Sequence, residues 1–422
     1  MKTVKADVYL KELKSGKDLS KPEVGAAVRA IIENVRERGD AAVLAYERQF
    51  DEADLSSLIV TKEEIDEAVK KVPKKFFKVL SKAAKNIRAF HEKQKRKGFS
   101  LSGKGKLIGQ KVLPIERAAL YVPGGTAAYP STVLMNAIPA KIAGCAEVCI
   151  ATPPLINGKI NPVILAAAYI AGVDTIYKMG GAQAIAALAY GTESVKKADK
   201  IVGPGNVYVA EAKRQVYGQV SIDMIAGPSE IAVLADGASD PAFVAADLLS
   251  QAEHDKNARA ILITPSETLA KEVEKEIRER LALLKREEIA SCSIENNGRI
   301  VLVKDMEEGV RVANEIAPEH LEICSDEPMQ YLDSVKNAGS VFLGRYCPEA
   351  LGDYLGGPNH TLPTSGAARF SSPLSVDDFI KKTQFIYYDK AAFEKVAEDI
   401  AYFATKEGLT AHAESALIRL KK

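Results

Sequence analysis

Two side chains three residues apart raise the first chemical question. Gln251 and His254 lie in Asp247-Leu-Leu-Ser-Gln-Ala-Glu-His254. This stretch follows a strand-like run, Glu230-Ile-Ala-Val-Leu-Ala235, and a helical run that starts near Pro241. On a helix, a spacing of three puts both side chains on one face. The amide offers a hard carbonyl oxygen and the imidazole a borderline nitrogen. Two such ligands from one turn, joined by others from elsewhere, build a divalent-metal site. A solvated helix face has the same spacing, so the pair needs support from the rest of the chain.

Glu315-Ile-Ala-Pro-Glu319-His320-Leu-Glu322 brings an acid and an imidazole to the start of a strand. Histidine titrates near neutrality and suits a general base, and a neighbouring carboxylate orients it or activates water. Adjacent strand residues point to opposite faces, but at a strand's mouth both reach a cleft. A surface Glu–His pair is the plain alternative. Leu351-Gly-Asp353-Tyr-Leu-Gly-Gly-Pro-Asn-His360-Thr-Leu-Pro-Thr364 is a Gly/Pro-rich loop, a setting that carries binding residues on a rigid scaffold. Asp353 is its candidate oxygen-donor metal ligand. His254, His320, His360 and His412 each sit beside an acid, an amide or a Gly/Pro turn. His91 sits in a charged helix and reads as solvated.

The elements that must hold these residues alternate. From about Lys106, strand patterns at 118–122, 147–151, 175–178 and 200–202 are separated by helical runs at 131–143, 162–171, 182–190 and 206–216. A second block has strand patterns at 230–235, 259–264, 299–303, 321–324 and 340–343. Short links and apolar strands predict parallel sheets covered on both faces, with ligands beyond the carboxyl ends of strands. The fold class is therefore α/β, and the two similar parallel-sheet blocks suggest a duplicated domain. The predicted divisions are a helical N-terminal segment over 1–105 packing on the core, a first domain over 106–228, a second over 229–375 and a mostly helical tail over 376–422. Thr61-Lys-Glu-Glu64 is a capping box for a helix running to about Lys97, and 98–105 is a Gly/Lys/Ser link.

Turns in the first block carry glycine: Pro123-Gly-Gly125, Gly180-Gly-Ala-Gln183 and Gly203-Pro-Gly-Asn206. Glycine lets backbone N–H groups approach a phosphate or ribose, and a following helix N-terminus favours anions. No G-x-G-x-x-G occurs, so the standard dinucleotide fingerprint is absent and the turns are equally compatible with tight βα links. Lys plus Arg total 57 against 56 Asp plus Glu, a balance that gives no reason to expect nucleic acid or a membrane surface. The longest apolar run, Val163 to Val173, is too short to span a bilayer. The five cysteines show no zinc-ribbon spacing and fit reduced thiols in a cytoplasmic protein.

Together these stretches resemble histidinol dehydrogenase. The resemblance rests on Tyr121-Val-Pro-Gly-Gly, Gly180-Gly-Ala-Gln-Ala-Ile-Ala-Ala-Leu, Gly203-Pro-Gly-Asn, Ala226-Gly-Pro-Ser-Glu, Leu249-Ser-Gln-Ala-Glu-His, Ala317-Pro-Glu-His-Leu, Gly344 through Thr364, and Leu409-Thr-Ala-His. It implies two Rossmann-like, incomplete and duplicated parallel-sheet domains, and a homodimer with a zinc ion in each subunit, held by Gln251, His254, Asp353 and His412, the last from the partner. It implies substrate contacts at Ser229, Gln251, His254, His320, Asp353, Glu407 and His412. NAD would meet Tyr121, Gln183 and Asn206, and Glu319 and His320 would be the catalytic pair. The implied reaction takes L-histidinol through the aldehyde to L-histidine with two NAD. A related dehydrogenase of another amino-alcohol or diol, a zinc hydrolase and a non-catalytic metal-binding module are the remaining alternatives.

Overall fold

The computed structural model describes residues 1–14, 22–124, 128–225 and 227–421, so Gly125 and Ala226 of the motifs above lie outside the described residues. In chain order the strands are β1 (Lys2–Lys5), β2 (Phe99–Gly103), β3 (Lys106–Pro114), β4 (Arg117–Tyr121), β5 (Glu147–Thr152), β6 (Thr175–Lys178), β7 (Lys200–Val202), β8 (Ser221–Ile222), β9 (Glu230–Ala235), β10 (Arg259–Thr264), β11 (Arg299–Leu302), β12 (His320–Cys324), β13 (Ser340–Leu343) and β14 (Ile380–Tyr388).

The chain forms two compact units, one of residues 1–94 and 115–379, the other of residues 95–114 and 380–422. The first holds two wholly parallel sheets. One has the order β6-β5-β4-β7-β8 and the other β1-β11-β10-β9-β12-β13. Numbered within its own block, each reads 3-2-1-4-5, the Rossmann order. Duplication therefore shows in topology although no residue repeat marks it. Both faces of each sheet are buried, and successive residues alternate between two cores. Ile231 and Val233 face one cluster while Ala232 and Leu234 face another. The same alternation divides Ala118 and Leu120 from Ala119 and Tyr121.

The N-terminal residues differ from a purely helical segment. Residues 2–5 form β1, which adds to the edge of the second sheet by pairing with β11. Thr61 does make a capping box with Glu64, but the helix it opens ends at Lys71. Pro73 breaks the run, and a new helix, Lys74–His91, follows. Helices Pro22–Arg38 and Asp40–Phe50 cover one face of the first sheet through Val28, Val35, Ala42 and Val43. Lys74–His91 covers the other through Leu80, Ala84 and Ile87.

His91 continues that inward row and is wholly buried, which corrects its reading as a solvated residue. Its charged neighbours Glu92 and Lys93 point elsewhere, whereas 80, 84, 87 and 91 share one helical face. Its Nδ1 lies 2.6 Å from Gln94 Oε1 and its Nε2 3.4 Å from Asn359 Nδ2.

The second unit is built on an antiparallel sheet of order β14-β3-β2. The stretch read as a Gly/Lys/Ser link thus holds the hairpin strand β2, in register with β3 from Phe99↔Gln110 to Gly103↔Lys106. Helices Ala397–Lys406 and Thr410–Leu417 pack together through Ala401, Ala404 and Ala413.

Burial pushes the His91 pKa below its ordinary value. The folded chain then holds fewer protons than the unfolded one, so stability is lost as pH falls below the unfolded histidine range. His91→Gln should show a smaller loss of unfolding free energy between pH 7 and pH 5 than the parent chain. Equal losses in denaturant titrations would contradict that origin.

Candidate active site

The pair Glu319 and His320 stands at the amino end of β12, beside the amino end of β9, not beyond the carboxyl ends where parallel-sheet ligands are expected. Helix Met306–Ile316 closes on Ala317, whose φ of 52° turns the chain back toward the sheet. Both side chains are buried, and both are oriented by one residue. Glu319 Oε2 accepts from the Glu230 N–H at 3.0 Å. His320 Nδ1 lies 3.0 Å from the Glu230 carbonyl oxygen. A carbonyl only accepts, so Nδ1 carries the proton and Nε2 is left with a free lone pair. Burial lowers the His320 pKa to about 4 and keeps the ring neutral. Burial also raises Glu319 well above the carboxylate range, partly offset by the Glu230 N–H bond.

A second cluster lies beside the first. Glu349 Oε1 is 3.8 Å from His320 Nε2. Ligand atoms of His254, Glu349 and Asp353 lie within 4.8 Å of one another. Asp353 sits on a π-helical turn, Gly352–Gly356, a local widening that recurs at functional sites. Burial opposes its ionisation, but three histidines together outweigh burial and hold its pKa low: His360 foremost, with Nδ1 3.5 Å from Oδ1, then His320 and His254. His254 is not on the helix with Gln251. Helix Pro241–Ala252 ends first, and His254 occupies the following turn with its N–H 3.2 Å from Gln251 O. Gln251 is buried, and its Oε1 has no hydrogen-bond partner. An unpaired buried carbonyl oxygen, an imidazole and a carboxylate are a donor set suited to a divalent cation. Ser229 is half-buried just before β9. Glu407 and His412 belong to the second unit, where both are exposed.

The other glycine turns lie at the carboxyl ends of the first sheet. Tyr121 ends β4, and its hydroxyl accepts from Gly181 N–H at 3.1 Å. Gln183, in the first turn of helix Gly181–Tyr190, is buried, as is Tyr121. Asn206 is exposed and caps helix Val207–Val216 through bonds from the Tyr208 and Val209 N–H groups. Gly203 has φ 113°, and its N–H donates to Asp223 at 2.8 Å. Lys213, ion-paired with Asp223, bonds the Gly203 carbonyl at 3.0 Å. A cleft of about 350 Å³ opens beside β4 and β5, lined by Asp51, Gly124 and Pro153 among others.

A family model for histidinol dehydrogenase matches residues 14–420. The chain belongs to the histidinol dehydrogenase family. A histidinol dehydrogenase of Bacillus cereus is 55% identical over 414 residues, which cover 98% of this chain and 96% of the relative. One from Clostridium acetobutylicum is 51% identical, with the same shares covered. The crystal structure of histidinol dehydrogenase from Elizabethkingia anophelis superposes with a TM-score of 0.94 at 39% identity, covering 100% of this chain and 98% of that one.

Three carboxyls of this histidinol dehydrogenase-family chain escape a reading of the sequence. Glu349 lies in Cys-Pro-Glu-Ala, an ordinary surface pattern, yet it is buried and its pKa is pushed up to about 8 by burial and the nearby Asp353 charge. Glu322 accepts from Glu349 N–H at 2.7 Å. Glu230 accepts from Ser365 N–H and lies 3.4 Å from Arg259. The sequence signal for Glu230 and Glu322 is a charge inside an apolar strand, which only a buried partner tolerates, and Glu349 carries none.

Gln251→Met keeps shape and removes the unpaired carbonyl. In chelator, the metal-free variant should be more stable by about 1–3 kcal/mol, the cost of an unsatisfied buried polar group. A less stable variant in urea unfolding would mean that Oε1 is satisfied in the folded chain.

Proposed function

We propose that this chain is a zinc-dependent L-histidinol dehydrogenase, oxidising L-histidinol through L-histidinaldehyde to L-histidine with two NAD in the last steps of histidine biosynthesis. Family membership supports the substrate, and the orientation of Glu319 and His320 by Glu230 carries the chemical reading. With Nδ1–H given to the Glu230 carbonyl and the ring kept neutral, His320 Nε2 is free to take the substrate's hydroxyl proton. Glu319 has one oxygen bonded to the Glu230 N–H and one free. In its ionised form the buried carboxylate is more basic than a surface one and takes a proton from the water that attacks the aldehyde carbon. His320 then serves as base again while the hydrated aldehyde is oxidised.

NAD supplies the hydride acceptor for each oxidation. Zinc supplies an anchor for the substrate's imidazole and amino nitrogens, a positioning role. Gln251, His254, Asp353 and the partner subunit's His412 would hold it. The unpaired Gln251 oxygen and the ionised Asp353 favour that assignment. Ser229 and Glu407 complete the proposed substrate contacts. Tyr121, Gln183 and Asn206 are the proposed NAD side, since they cap or brace the glycine turns. No cysteine is assigned to covalent catalysis: burial raises the Cys145 and Cys149 thiols to about 11 and about 12.

A homodimer suits the second unit, which exposes Phe99, Leu101, Ile386, Tyr387, Tyr402 and Phe403. No helix among the described residues is long and apolar enough to cross a membrane, and a cytoplasmic location is part of the proposal.

Glu319→Gln tests the roles most sharply. Oxidation of supplied L-histidinaldehyde should fall by about 10²–10⁴-fold, with a smaller effect on the alcohol step. Equal losses in both half-reactions would remove the water-activating role. His320→Asn should retain bound zinc by elemental analysis and lose turnover by about 10²–10⁴-fold. Turnover near that of the parent would take His320 out of the mechanism. Mixed dimers of Gln251→Ala and His412→Ala chains should regain activity that neither parent variant has. Mixtures as inactive as their parents would contradict a site shared between subunits.

A further inference from the structure

Glu47 takes no part in the chemistry above, yet it is as buried as any core residue, with 0% of its surface exposed. It projects from helix Asp40–Phe50 and sends one oxygen to the turn that follows β6. Its Oε1 accepts from Gly180 N–H at 3.0 Å and from Gln183 Nε2 at 2.9 Å. The Gln183 Oε1 is buried without a hydrogen-bond partner, and the carboxyl of Glu47 also shares a hydrogen bond with that of Asp51. Gly181 lies between Gly180 and Gln183 with φ 57°, its N–H on the Tyr121 hydroxyl. A carboxyl here brings no apolar burial and carries a large desolvation cost unless it does something for the turn.

We propose that Glu47 is a positioning residue for the dinucleotide: through Gly180 and Gln183 it holds the turn beyond β6 in the arrangement that binds NAD. This rests on the reading of these turns as the NAD side. The ionisable groups that act on Glu47 are Asp51, one turn along its own helix, and Tyr121 at the end of β4. The packed helix Gly181–Tyr190 presents the neutral Gln183. Burial, reinforced by the Asp51 charge, raises Glu47 to about 8, so at neutral pH it is a proton-bearing acid beside a carboxylate that lines the cleft. Ionisation would place a second negative charge behind a turn that must receive a pyrophosphate. The device therefore weakens NAD binding as pH rises through that range. Glutamine reproduces the neutral acid's acceptor and donor at every pH.

The test is calorimetric NAD binding to the full chain, without histidinol, at pH 7 and pH 9. At pH 7, Glu47→Gln should bind as the parent does and Glu47→Ala about tenfold more weakly, the equivalent of one or two net hydrogen bonds. Between pH 7 and 9 the parent should lose several-fold in affinity while Glu47→Gln loses clearly less. In turnover, Glu47→Ala should raise KM for NAD with little change in kcat. Equal pH losses in parent and Glu47→Gln would overturn the proposal even if Glu47→Ala failed to fold. So would parent-like affinity of a folded Glu47→Ala. A folded parent that binds no NAD at either pH would overturn the cofactor reading of the first sheet, and this proposal with it.

Discussion

The site depends on one peptide unit. The Glu230 N–H holds Glu319, and the Glu230 carbonyl holds His320. Both bonds require β12 to lie parallel beside β9 in one register, His320 opposite Ile231 and Cys324 opposite Ala235. A slip of one residue would exchange the two faces of β12 and turn His320 away from the site toward the opposite core. The alternating apolar residues of both strands forbid that slip, because Leu321 and Ile323 share a core with Ala232 and Leu234. Core packing thus fixes the tautomer of an imidazole. The Glu230 side chain also accepts from the Ser365 N–H and faces Arg259, so the loop that carries Ser365 is tied to the same residue.

The two sheets share strand order but use opposite ends. In the first, ionic and polar groups are placed behind the βα turns at the carboxyl ends: Lys213 and Asp223 behind Gly203, Glu47 behind Gly180. In the second, the carboxyls gather at the amino ends, where helix Pro241–Ala252 ends and delivers Gln251. Burial there splits the protonation states. Glu319, Glu322 and Glu349 are pushed up, Asp353 is held down by His360, and His320 is kept neutral. Pairs of groups driven apart in this way are what acid–base chemistry at neutral pH requires.

Much of this was legible in the sequence because parallel strands buried on both faces leave a plain signature. Glu230–Ala235 and Arg259–Thr264 are continuous apolar runs, and their bounds fall where the pattern puts them. Glycine and capping residues marked the turns for the same local reason. What the sequence hid depends on partners distant along the chain. Glu47 and Glu349 look like surface acids until Gln183 and His320 arrive beside them. His91 looked solvated because its neighbours are charged, although its spacing from Ile87 and Ala84 already placed it inward. Residues 2–5 carry no strand pattern of their own and extend only because β11 offers an edge. The separation of Gln251 from His254 at a helix end came from the turn after Ala252, which spacing alone does not reveal.

If one set of side chains performs two successive oxidations on a substrate that metal keeps in place, the electrons removed from each substrate molecule must appear in NADH. The most direct measurement is the yield of NADH per L-histidinol consumed at saturating NAD, before and after chelation. About two NADH per histidinol are expected, lost on chelation and restored by zinc. One NADH per histidinol, with the aldehyde accumulating, would contradict the assignment of both steps to this site, and an undiminished yield in chelator would contradict the role of the metal.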